Sequence, residues 1–229
     1  MEQLGMGNPP PVGFSQPKNV YRFGELTIWS TQLLAATTVL ANSSFRLFTT
    51  PLGQNGQGFA QALTIAETSI KEGGRVPSGI AYDVFGIACV LGLADGDTES
   101  SFKFDQPIAN AADIAQVLNL QNGGVLSWDF TQTQVDIAPI QVIGAGGGLY
   151  GSVSNSTGTG TAGNLEAGHM NNGAGSIWLY RKHPVSLPGT STFSILLRFG
   201  AKTAAVASSK AAFVKVILYG FYKNVIEVG

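Results

Sequence analysis

The sequence predicts an all-β fold, a double-sheet sandwich or jelly roll with one short helix, and three observations carry that prediction. Residues 178–229 hold three β-rich runs, Trp178-Leu179-Tyr180, 193–199 and 213–228, divided by Pro188-Gly189 and a small-residue stretch. Runs rich in aromatic and β-branched residues, bounded by Pro, Gly and Ser, read as neighbouring antiparallel strands. Similar short runs recur along the rest of the chain, which brings the expected total to about nine or ten. Only one segment has convincing helical spacing, so the helices that a parallel α/β sheet needs between its strands are missing.

Taken in order, residues 1–19 contain Pro9-Pro10-Pro11 and Pro17 and read as an extended N-terminal arm. Arms of this composition often become ordered only against a neighbouring subunit. The remainder, 20–229, is expected to be one jelly-roll domain. Residues 20–29 alternate in part, as a strand does, while 32–41 is compatible with helix or strand. A short strand over 45–50 ends at Pro51-Leu52-Gly53, a Gly/Gln-rich loop covers 54–61, and 62–69 reads as a further strand. Gly73-Gly74-Arg75-Val76-Pro77 turns the chain into the apolar run 80–93, which a sheet core buries on both faces.

The acidic stretch 95–100 reads as a turn. The helix is expected over 110–120, with Asn110 as its cap, Ile114, Val117 and Leu118 on one face, and Asn122-Gly123-Gly124 as its stop. Two strands follow, 126–130 and 135–142, and Pro139 consigns the second to an edge or a bulge. Residues 144–175 form a Gly/Ser/Thr-rich insertion, too polar to hold a core and read as a surface loop. The long final run ties the C-terminal end of the chain into the core.

Composition bears on function. Charged residues make up only 12% of the 229, about half the share usual for a soluble domain, and the net charge is −1. A dispersed monomer needs charge on its surface, so this chain is expected to cover much of that surface with copies of itself. The 13 basic residues are scattered, with Arg181-Lys182-His183 the densest group, so no specific nucleic-acid site is expected. Cys89 is the sole cysteine, which excludes an intrachain disulfide and a Cys-based zinc site and points to a buried, inert thiol. Residues 1–19 lack the apolar core of a signal peptide, and no stretch reaches the length of a transmembrane segment. The expected place of synthesis is a reducing cytosol.

An ordered set of segments carries a resemblance. Phe48-Thr49-Thr50-Pro51-Leu52-Gly53-Gln54, Leu63-Thr64-Ile65-Ala66-Glu67-Thr68 and Gly74-Arg75-Val76-Pro77 open it. Gly146-Gly147-Gly148-Leu149-Tyr150-Gly151 stands in the middle, and Thr192-Phe193-Ser194-Ile195-Leu196-Leu197 and Val214-Lys215-Val216-Ile217-Leu218-Tyr219-Gly220-Phe221 close it. Over 45–228 the chain resembles the jelly-roll major capsid proteins of small tailless icosahedral viruses, particularly those of bacteria. The resemblance rests on pattern and order, since each piece occurs in other sandwiches. That family has single and double jelly-roll forms; a single roll is favoured here, because sixteen strands would need unusually short loops, and a double roll is the alternative. It also implies a virion protein, made in the host cytoplasm, whose partners are copies of itself in capsomers and other virion proteins such as vertex proteins.

Motifs for chemistry are few. Gly146-Gly147-Gly148-Leu149-Tyr150-Gly151 matches the dinucleotide-binding glycine pattern, but no helix can follow it, so it reads as a turning loop. Asp95, Asp97 and Glu99 alternate on one turn and form a Ca²⁺ candidate beside the plainer reading of a solvated acidic turn. His169 and His183 are the only histidines, and no nucleophile elbow accompanies them, so no catalytic residue is assigned and no enzyme activity is expected. Asn42-Ser43-Ser44 and Asn155-Ser156-Thr157 match the glycosylation pattern but read as polar loop residues. Glu67, Arg75, Asp83 and Arg198 lie in or beside apolar runs, so some of them are expected in ion pairs.

The expected function is therefore self-assembly of a structural coat protein into an icosahedral capsid. The alternative is a carbohydrate-binding, lectin-like sandwich such as a spike or fibre head, favoured if exposed Trp29, Trp128 or Trp178 line a groove beside Ca²⁺. An enzyme on a cupin-like roll would need more histidine and carboxylate ligands than this chain supplies.

Overall fold

The structure, a computed structural model, describes residues 18–77, 79–94, 111–130, 133–144, 150–156, 165–171, 176–180, 182–206 and 210–228. Within them lie β1 (Lys18–Leu34), β2 (Ser44–Leu47), β3 (Ile80–Ala94), α1 (Ala111–Gly123), β4 (Gly124–Phe130) and β5 (Thr133–Pro139). After a 3-10 turn at Ile140–Val142 come β6 (Tyr150–Ser156), β7 (Leu165–Asn171), β8 (Trp178–Leu179), β9 (Val185–Leu187), β10 (Phe193–Phe199) and β11 (Ala211–Val228). The fold is all-β, as the strand count predicts, and its ladders are antiparallel.

The strands form two facing sheets. The first runs β1-β11-β3-β8, with β9 also paired to β3, and the second runs β2-β10-β4-β5. Alternation along β11 sends Val214, Val216 and Leu218 inward, and along β3 Ile87, Cys89 and Leu91. They meet Phe193, Ile195, Leu197 and Phe199 of β10 and Leu126 and Trp128 of β4 in one continuous cluster. Both β10 and β11 are central strands, which explains why their sequences are apolar with little polar alternation.

The three closing runs are not neighbours, contrary to the sequence expectation. β8 pairs with β3, β10 lies between β2 and β4 in the other sheet, and β11 lies between β1 and β3. A tight hairpin joins strands through about two to five residues. The 200–210 connection is longer, and it carries the chain from one sheet to the other.

Several local expectations also change. The 62–69 segment is a turn, because Thr64-Ile65-Ala66-Glu67 forms half of a capping box. The Thr64 N–H and hydroxyl donate to the Glu67 carboxylate at 2.6 and 2.5 Å. The ambiguous 32–41 segment is strand up to Leu34 and turns thereafter. The 144–175 insertion is not simply loop, since β6 and β7 pair from Tyr150↔Asn171 to Ser156↔Leu165. Backbone hydrogen bonds suffice for such a ribbon without an apolar run. Of the predicted arm, Lys18 and Asn19 already belong to β1, and residues 1–17 lie outside the described residues.

Helix α1 forms near its predicted place, although Asn110 lies outside the described residues. Its inward stripe is Asp113, Ile114, Gln116, Val117 and Leu120, whereas Leu118 is exposed. Buried Asp113 is held by the Lys210 ammonium at 2.6 Å. Pro139 ends β5, the edge strand of the second sheet, opposite Val125, a position where its missing N–H is tolerated.

Candidate functional site

Among the described residues, two open surfaces are rich in aromatic side chains. One is a cleft of about 790 Å³ at the margin of the sandwich, between the β4–β5 end of the second sheet and the chain around β8. Inner-face alternation on β4 brings Trp128 and Phe130 to this opening, their rings stacked with centroids 5.6 Å apart and planes 12° from parallel. Val135, opposite Trp128 in the ladder, and Ile137 continue that wall along β5. Trp178, Leu179 and Tyr180 form the facing wall, and Lys182 and His183 stand at its rim. Val135 and Leu179 are 48% and 47% exposed, so the cleft is open to water although its walls are apolar.

A single hydrogen bond ties the walls together. The Trp128 indole N–H donates to the Tyr180 hydroxyl at 2.8 Å. Burial pushes the Tyr180 phenol above its ordinary range, and the indole donor partly offsets the rise. Asp136 also borders the cleft, but its carboxylate accepts from Ser127 at 2.8 Å and pairs with Arg198. Of the four charges expected to supply some ion pairs, Arg198 is in this one, with a partner the sequence did not name.

The second surface is the outer face of the first sheet. Phe23 of β1 is 67% exposed, and Phe221 of β11 is 48% exposed. Phe221 packs against Phe85 of β3 at 4.9 Å between ring centroids, and the Lys223 ammonium sits 5.9 Å from the Phe23 ring centre. Above this aromatic strip the same face is covered by the chain's own 57–69 segment. Trp29 donates through its indole N–H to the Ile65 carbonyl at 3.0 Å, and Lys215 donates to the Ala66 carbonyl at 2.9 Å. The Ser69 N–H also reaches the Trp29 carbonyl, so the segment closes part of the free edge of β1. Burial lowers the Lys215 pKa, and nearby Glu67 opposes that shift.

Several of the predicted site residues fall outside the described part of the chain. Asp95, Asp97 and Glu99 lie outside the described residues, as do Gly146, Gly147, Gly148 and Leu149. Among the described residues no three His, Cys, Asp or Glu side chains are placed to hold a metal ion. His169 falls in β7, and His183 is exposed at the cleft rim. Cys89 is buried in the core, which pushes its thiol up to about 12. Asn42 and Ser43 occupy a turn, while Asn155 and Ser156 belong to β6.

The sequence named Trp29, Trp128 and Trp178 as alternatives for an exposed groove; buried Trp128 and partly exposed Trp178 line this cleft, Trp29 does not, and Tyr180 was missed. Only its place beside Trp178 hinted at it. Among the described residues no helix is long and apolar enough to cross a membrane. Compared with known proteins, the chain matches no family model, no curated protein and no solved structure.

Proposed function

We propose that this chain is a structural coat protein that self-assembles into an icosahedral virus shell. The observation that carries the reading is the strand order. With the β6–β7 ribbon set aside and β8 and β9 counted as one interrupted strand, the sheets run first-eighth-third-sixth and second-seventh-fourth-fifth. Eight antiparallel strands wound as a single jelly roll have this order, and that architecture recurs in viral coats and in lectins.

A fold does not specify a function, so the surface has to make the choice. The chain is only 12% charged, and its first sheet presents Phe23 and Phe221 to water. Apolar rings held on a sheet face are suited to burial against another subunit, where obligate contacts are more hydrophobic than transient ones. Copies of the chain are the partners on this reading, together with other virion proteins such as vertex proteins. The protein would be made in the host cytoplasm and reside in the virion.

The test is native mass together with negative-stain imaging of the purified chain. Closed shells, or uniform trimers, pentamers or hexamers, support the coat reading. A dispersed monomer at high concentration overturns it.

A further inference from the structure

Beyond shell building, we propose that the cleft between β5 and the 177–180 segment binds a pyranose ring of an oligosaccharide. The argument starts from its walls. Phe130, Trp178 and Tyr180 are only partly buried and line an opening of about 790 Å³, a volume within the usual range for a small-ligand site. Aliphatic walls alone would accept any apolar body. Stacked rings at an open cleft select a ligand with flat C–H faces, and a pyranose has one on each side.

Openness decides against a purely apolar ligand. With Val135 and Leu179 each about half exposed, an alkyl chain lying here would keep much of its own surface in water. A sugar ring places its C–H face on the aromatic wall and leaves its hydroxyl edge to the solvent. Donors are available at that edge from the Lys182 ammonium and the His183 imidazole. The Tyr180 hydroxyl accepts from Trp128 and retains its own proton to donate. Asp136 is not assigned to the ligand, because Ser127 and Arg198 already occupy its carboxylate.

The cleft lies at the margin between the sheets, and the exposed aromatic strip lies on the outer face of the first, so the two are separate places on the fold. The experiment applies the full chain, in whatever assembly it forms, to a broad printed array of plant, animal and bacterial oligosaccharides. Val135→Arg and Lys182→Ala are run beside it. Both positions are exposed, so neither change disturbs the core. The expected result is binding to at least one saccharide class, lowered about tenfold by Val135→Arg, which fills the cleft, and several-fold by Lys182→Ala. Particle mass is read on the same samples, so that loss of shells and loss of sugar binding are separate results. No bound saccharide, or one bound equally well by Val135→Arg, overturns the proposal.

Discussion

The Trp128 indole N–H and the Tyr180 hydroxyl, 2.8 Å apart, join the two sheets of the sandwich across their open margin. Trp128 belongs to β4, while Tyr180 follows β8, the short strand beside β3, and its own N–H reaches the Phe85 carbonyl. Removing the hydroxyl in Tyr180→Phe leaves a buried donor without its acceptor. The expected cost is about 1–3 kcal/mol, read from urea unfolding, with little change in the far-ultraviolet spectrum. An unchanged midpoint would mean that the bond does not hold the margin closed.

Gly220 sits at the register shift of β11 against β3. A methyl group there would come 2.5 Å from the Tyr82 ring and 2.7 Å from the Asp83 carbonyl oxygen. Tyr82 cannot easily withdraw, because its ring is in the core and its hydroxyl lies 2.8 Å from the Leu26 carbonyl and 2.9 Å from that of Leu218. Gly220→Ala should cost about 1–3 kcal/mol, as overpacking does. A thermal midpoint equal to wild type would show that β11 shifts freely at this point.

Glu67 organises the segment that covers the free edge of β1. Its carboxylate accepts both Thr64 donors, and its carbonyl accepts the Thr31 hydroxyl at 2.8 Å. Glu67→Ala removes the carboxylate but keeps the carbonyl, so about 1.5–3 kcal/mol should be lost. Amide hydrogen exchange should rise first over 57–69. Exchange that rises instead across the core would place the role of Glu67 elsewhere.

Alkaline pH tests the buried thiol and phenols. Burial raises the pKa of Cys89 to about 12 and lifts those of Tyr82 and Tyr180 above the usual phenol range. The folded chain therefore holds protons that the unfolded chain releases above about 8.5 for the thiol and about 10 for the phenols. Their contribution to stability is full below those values and falls as pH rises past them. Lys215 has the opposite sign, because its lowered folded value makes stability rise with pH up to about 10.4. Cys89→Ala should flatten the fall above about pH 9, and native Cys89 should react with a thiol reagent only on unfolding. Rapid native labelling would contradict its burial.

Phe23 tests the assembly face. It is largely exposed on β1, so Phe23→Ser should change folding stability by less than about 1 kcal/mol. On the coat reading it should raise the concentration at which shells or capsomers form, measured by light scattering. Assembly at the wild-type concentration would remove Phe23 from the contact.

What the sequence determined by itself was the β-class, the strand cores and the punctuation between them. The runs that became β3, β10 and β11 are long and rich in β-branched or aromatic residues, and Pro139 announced its edge because it has no N–H to give. The Thr64-x-x-Glu67 spacing is a capping signature, and the strand reading of 62–69 overlooked it. Tertiary structure alone decided which strands pair, for alternation along a strand names a buried face without naming the sheet opposite. Strand order is set by how a central core is shared between two layers, and it separated β8, β10 and β11 despite their closeness in sequence. The same long-range packing brought Trp128 and Tyr180, 52 residues apart, into hydrogen-bonding distance. No local preference encodes that approach, because it exists only once the sheets have closed over their core.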